Sequence, residues 1–167
     1  LVIKWLADSA LGGHSAEALH DTLWEKDFIR KPVSIDQFIH DDYYLGSAAS
    51  ELHPLWKRDL NIVFAPGSKI FEWVLTGGIG IGKTTIACIA IAYKIHCLSC
   101  LKDPSRYYGL LSESMVVFGI YSITKRQVAD AGYFKLKGFI DSSPYFRNEF
   151  PRSTKIDSKV VFKGGKV

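Results

Sequence analysis

The sequence predicts an α/β fold: an incomplete parallel sheet with helices on both faces, preceded by a helical N-terminal arm. Three observations predict it. The first third of the chain carries apolar residues at helical spacing. Beyond Pro66-Gly67 the pattern changes to short β-prone runs at 70–75, 115–121 and 160–162, with helical stretches between them. Strands alternating with helices imply parallel pairing under helical cover. A glycine-rich turn joins the first of these runs to the most apolar helix in the sequence.

The elements follow in order. Ser15 can cap a helix with Ala16, Leu19, Leu23, Trp24 and Phe28 on one face. Ser34-Ile35-Asp36-Gln37 has the form of a capping box and opens a helix carrying Phe38 and Ile39. Pro54 starts a third helix through Leu55, Trp56, Leu60 and Val63, which the Pro66-Gly67 turn ends. Residues 1–66 therefore read as a helical segment and 67–167 as the core domain. In that core, 70–75 is a mostly buried strand and 84–99 is a helix apolar on most sides. Residues 102–114 form a loop containing Asp103-Pro104, and 115–121 is the second strand. Thr124-Lys125-Arg126-Gln127 is another capping box, opening a helix to about Lys137. Ser142-Ser143-Pro144 breaks the pattern, and 160–162 is the third strand.

Composition bounds the function. Apolar residues make up 47% of the 167 and aromatic residues 13%, enough to bury a core and too many for a disordered chain. A net charge of +4 permits contact with a polyanion without demanding one. The three cysteines, Cys88, Cys97 and Cys100, are odd in number and clustered, which excludes a disulfide framework and points to a reducing compartment. Lys4 and Asp8 interrupt the only early apolar run, so no signal peptide is expected. Residues 86–98 are apolar but carry Lys94 and His96 and are too short to span a bilayer. The chain begins at Leu1 and stops at Val167, just past Gly164-Gly165, and is expected to be part of something longer.

The glycine-rich turn reads Gly77-Gly78-Ile79-Gly80-Ile81-Gly82-Lys83-Thr84-Thr85. It matches G-x-x-x-x-G-K-[ST], the Walker A or P-loop pattern, and a chance match in a chain of this length is expected at roughly the one-in-a-hundred level. Each part has a physical task. Glycines reach backbone conformations that a Cβ forbids. Successive N–H groups then form an anion nest, and the following helix presents its N-terminus to the same phosphates. Lys83 is expected to reach the β- and γ-phosphates as the catalytic cation. Thr84 is expected to coordinate Mg²⁺ and Thr85 to support the helix start. ATP and Mg²⁺ are the cofactors this implies. Turnover also needs an acidic residue at the end of another strand and a group that orients water. Neither 115–121, which runs into Ser122, nor 160–162, which runs into Lys163, supplies one. Nucleotide binding is expected of this chain, and little or no hydrolysis.

The loop and its flanks resemble the large terminase subunit of tailed bacteriophages. Ser34-Ile35-Asp36-Gln37-Phe38-Ile39 and Tyr43-Tyr44-Leu45-Gly46 look like that family's leading segment. Leu52-His53-Pro54-Leu55-Trp56 looks like its pre-motor helix, and residues 72–85 look like its Walker A strand and loop. Ser122-Ile123-Thr124-Lys125-Arg126-Gln127-Val128-Ala129 and Ser142-Ser143-Pro144-Tyr145-Phe146 look like the segments that follow. The resemblance implies a P-loop NTPase core of the ASCE type. It implies an ATPase that drives double-stranded DNA into the prohead, followed in the full protein by an RNase H-like nuclease. It also implies a portal protein and a small terminase subunit as partners, a homo-oligomeric ring, no membrane, and residence in the host cytoplasm with transient docking at the prohead. Many members carry an arginine within the Walker A loop. Here Ile79 and Ile81 stand in that stretch, so the charge must come from elsewhere, such as Arg126 or a neighbouring subunit, or be absent.

Cys97-Leu98-Ser99-Cys100 has C-x-x-C spacing with His96 beside it, but no second ligand pair stands at a zinc spacing. Buried thiols are the simpler account. Lys125 and Arg126 oppose the dipole at a helix start and could meet phosphate. Trp56, Lys57 and Arg58 precede the loop, where an aromatic face could stack on a base. Arg147, Arg152, Lys155, Lys159, Lys163 and Lys166 make a basic tail that could contact DNA. The competing functions are a helicase or other ASCE ATPase, and a nucleotide-binding module without turnover.

Overall fold

The computed structural model describes residues 26–111, 113–124, 126, 128–153 and 159–162, and within them the chain is helical. The expected helix capped by Ser15, with Ala16, Leu19, Leu23 and Trp24 on its face, lies outside the described residues, as do Lys125 and Gln127.

Helix α1, Ile35–His40, starts where Ser34 caps it, its Oγ accepting the Gln37 N–H at 3.1 Å. The reciprocal half of the capping box is not made, because Gln37 Nε2 turns to Asp41 Oδ2 at 3.5 Å. The one-turn helix α2, Gly46–Ala49, leads to α3, Pro54–Val63. Pro54 lacks the N–H that a first turn would leave unsatisfied. His53 Nδ1 accepts the Leu55 N–H at 3.2 Å. The chain leaves α3 through the Pro66-Gly67 turn, where Gly67 has φ 76°.

Helix α4, Lys83–Ser99, is the centre of the molecule. Ile86, Cys88, Ile89, Ala92, Tyr93, Ile95, His96 and Leu98 are buried over most of its circumference, with Lys94 on the exposed side, as a sequence apolar on most sides requires. One apolar cluster surrounds it, formed by Phe38 and Leu60 from before the glycine-rich turn and by Leu136, Ile140, Tyr145, Phe146 and Phe162 from after it. Each fully buried side chain of this size contributes about 1.5–3 kcal/mol.

Asp103 caps a further turn, α5, Pro104–Tyr107, inside the stretch expected to be a loop. A π-helical stretch, Val128–Tyr133, runs into α6, Phe134–Ser142. Ser143 then breaks the chain and caps α7, Pro144–Asn148, by accepting the Phe146 N–H at 3.4 Å.

The parallel sheet is overturned. Among the described residues there is no β-strand, only two isolated antiparallel bridges, Phe28 with Leu101 and Arg152 with Phe162. The runs at 70–75 and 115–121 have no ladder partner. They do keep a two-residue alternation of burial. Trp73, Leu75, Val116, Phe118 and Ile120 rest on the core, whereas Val74, Val117 and Tyr121 (93% exposed) do not; Phe71 (98%), in phase with Trp73, lies before the first run reaches the core. Alternation requires only an extended chain with one face on a core. A ladder requires in addition a second backbone about 4.8 Å away, supplying hydrogen bonds along its length. The helical core meets the first requirement and nothing in the described chain meets the second. The P-loop NTPase sheet with helices on both faces is therefore replaced by a helical assembly around α4, flanked by two unpaired β-prone runs.

Candidate functional site

Residues 77–82 leave the first β-prone run and deliver the chain to the start of α4. Gly82 is the N-cap of α4 at φ 92°, a left-handed conformation that an L side chain adopts only under strain. Gly77 lies at φ 130°, and a Cβ there would stand 2.5 Å from Ile81 Cδ1. No side chain caps α4 and its first turn contains no acidic residue. The leading N–H groups of this long helix, with their partial positive charge, meet neither a side-chain cap nor an acidic residue of their own first turn.

Lys83 folds back across the loop. Its Nζ donates to Gly77 O at 2.8 Å and to Gly78 O at 2.6 Å. Trp56 on α3 holds the other side, its indole Nε1 donating to Ile81 O at 2.8 Å. Trp56 is therefore a loop-positioning residue as well as a packing residue. Ile79 is fully exposed and Ile81 is 44% exposed. Thr84 is exposed, whereas Thr85 is half-buried and its Oγ1 accepts a hydrogen bond from Lys135 Nζ at 2.9 Å. Gly80, Ile81, Gly82 and Thr85 line one wall of a cavity of about 810 Å³, with Leu52, His53 and Trp56 opposite. That volume is in the range of sites that hold nucleotide-sized ligands.

The structure thus brings Gly77, Gly78 and Lys83 together on one side of the loop, and Gly80, Ile81, Gly82 and Thr85 beside the cavity. The loop glycines and Lys83 suit a phosphate chain. Thr84 offers one hydroxyl, and among the described residues no group of three or more His, Cys, Asp or Glu side chains is placed to share a metal ion. Sequence reasoning missed Lys135, which lies 50 positions from Thr85. It also missed the two carboxylates on the cavity wall, Glu51 and Asp59. Asp59 accepts from Arg58 at 2.9 Å.

The remaining candidates take other roles. Arg126 pairs with Asp130 one helical turn on, at 3.3 Å. Arg152 of the basic tail is bidentate to Asp141, at 2.6 and 2.9 Å. Lys155, Lys163 and Lys166 lie outside the described residues. Cys88 and Cys100 are buried free thiols and Cys97 is half-buried, with burial pushing the Cys97 thiol up to about 11. His96 is packed among Phe38, Tyr44, Tyr93 and Tyr145, and burial pushes it down to about 4. Its Nε2 accepts the Val33 N–H at 3.3 Å, so the ring is a neutral core group.

Comparison with known proteins gives no match: no family model, no curated protein and no solved structure is similar to this chain.

Proposed function

We propose that this chain binds a nucleoside triphosphate, ATP with Mg²⁺, through residues 77–85, and that it is the ATP-binding part of a DNA-packaging motor of the large-terminase kind. The observation that carries the binding reading is the loop itself, Gly77-Gly78-Ile79-Gly80-Ile81-Gly82-Lys83-Thr84-Thr85, standing at the uncapped start of a 17-residue helix. Lys83 would exchange the Gly77 and Gly78 carbonyls for β- and γ-phosphate oxygens, a stronger acceptor set for an ammonium. Thr84 would hold Mg²⁺ together with the phosphates and water, and the metal would offset charge on the phosphate chain. Trp56 and Leu52 would flank the nucleoside in the cavity beside the loop.

The motor reading, with double-stranded DNA, a portal and a small subunit as partners, is supported by the order of the flanking segments from Ser34 to Phe146. The rival reading of a binding module without turnover is favoured by the β-prone runs 115–121 and 160–162, which lead into Ser122 and Lys163 rather than an acidic residue. Equilibrium titration of the chain with MgATP tests the shared premise. Lys83→Ala is expected to weaken binding roughly tenfold or more, the scale of a lost charge-assisted contact. Unchanged affinity would exclude the loop as the site. Hydrolysis above background by this chain, lost in Lys83→Ala, would decide against the module reading.

A further inference from the structure

Lys135 stands in a position that the nucleotide-binding motif does not account for. It is the second residue of α6, and α6 is clamped against α4 by Leu136 and Ile140, which are buried in the common core. Just before α6, Cys88 Sγ of α4 meets Gly132 O at 3.5 Å. These contacts fix the register of the two helices and set Lys135 beside the first turn of α4. Its Nζ then donates to Thr85 Oγ1 at 2.9 Å.

An ammonium has three protons to donate. One goes to Thr85, and among the described residues no other acceptor or carboxylate engages Lys135. Its charge also lies against the positive end of α4, close in sequence to the start that Lys83 already occupies. Two ammonium groups at the first turn of a helix that carries no acidic residue of its own there favour an anion between them.

The two lysines approach from different sides. Lys83 lies over Gly77 and Gly78, which do not line the cavity, whereas Thr85 does line it. From this juxtaposition we infer that Lys135 is a second phosphate-contacting residue, gripping the phosphate nearest the nucleoside while Lys83 takes the outer ones. The inference rests on the nucleotide-binding reading above. It supplies from a later helix a charge that Ile79 and Ile81 leave out of the loop.

The test is competition binding of ATP, ADP and AMP, each with Mg²⁺, to the whole chain and to Lys83→Ala, Lys135→Gln and Lys135→Arg, with circular dichroism to confirm folding. Lys135→Gln should weaken all three nucleotides by a similar factor, roughly tenfold. Lys135→Arg should restore most of the loss. Lys83→Ala should instead weaken ATP and ADP far more than AMP. If Lys135→Gln binds all three like the unaltered chain while Lys83→Ala does not, the role of Lys135 is refuted and nucleotide binding stands. A loss confined to ATP would refute its placement at the inner phosphate. No binding of ATP by the unaltered chain would overturn both readings.

Discussion

His96 shows how far a single residue's setting departs from its side-chain type. It is 1% exposed, and its Nδ1 has no hydrogen-bond partner among the described residues. Burial first, and the Arg30 charge second, hold its folded-state pKa near 4 against an unfolded value of 6.5. The sign follows from which state binds the proton. Above pH 6.5 neither state is charged and this contribution to stability is complete. Between pH 6.5 and 4 the unfolded chain takes up a proton that the folded chain refuses, so stability falls with pH. The loss from pH 7 to pH 5 is about 2 kcal/mol. Urea denaturation at the two pH values should show it, and His96→Gln should reduce the difference. A proton titration of His96 by NMR with a midpoint near 6.5 in the folded protein would contradict the assignment. At this same scale the loop was legible in advance. Gly82 and Lys83 act through their own backbone and one neighbouring turn, and such local chemistry is written in sequence order. Lys135 was not legible, because only the packing of α6 on α4 brings it to Thr85.

At the scale of elements, the helix signals that held were the local ones. Ser34 and Pro54 begin helices as expected, Ser34 by accepting an N–H three positions on and Pro54 by its fixed φ and missing N–H; Ser143, expected only as a break, also caps a helix. Ser34→Ala should cost about 1 kcal/mol of stability, read as a lower denaturation midpoint with an unchanged slope. The β-prone runs make the opposite case. Their alternation was legible and their pairing was not, since a ladder partner is supplied by chain distant in sequence. The two faces of the second run should therefore behave differently. Phe118→Ala, on the core side, should destabilise by about 2 kcal/mol or more. Val117→Ala, 78% exposed, should change stability by less than about 0.5 kcal/mol. Equal effects from the two would mean that the outward face is covered.

For the whole molecule, distant parts of the described chain are drawn around α4. Arg30 pairs with Glu149 at 2.7 Å, and Tyr43 OH donates to the same carboxylate at 3.2 Å. The Ile29 N–H donates to Cys100 O, and the Tyr145 N–H donates to Tyr43 O. Tyr145 itself packs on His96 and Tyr44, so the segment between α1 and α2 and the segment after α6 share one aromatic cluster with the last turn of α4. Among the described residues no helix is long and apolar enough to cross a membrane.

The sequence by itself determined the helix starts at Ser34 and Pro54, the burial of most of α4 and the conformation-demanding glycines that lead into Lys83. Each of these depends on residues within one or two turns of each other. Tertiary structure alone decided that the β-prone runs remain unpaired, that Trp56 clasps the loop through Ile81, and that Lys135 reaches Thr85. Those outcomes depend on which distant segments win a place against α4. Local pattern can specify that a face will be buried, but the identity of what buries it is settled only when the whole core packs.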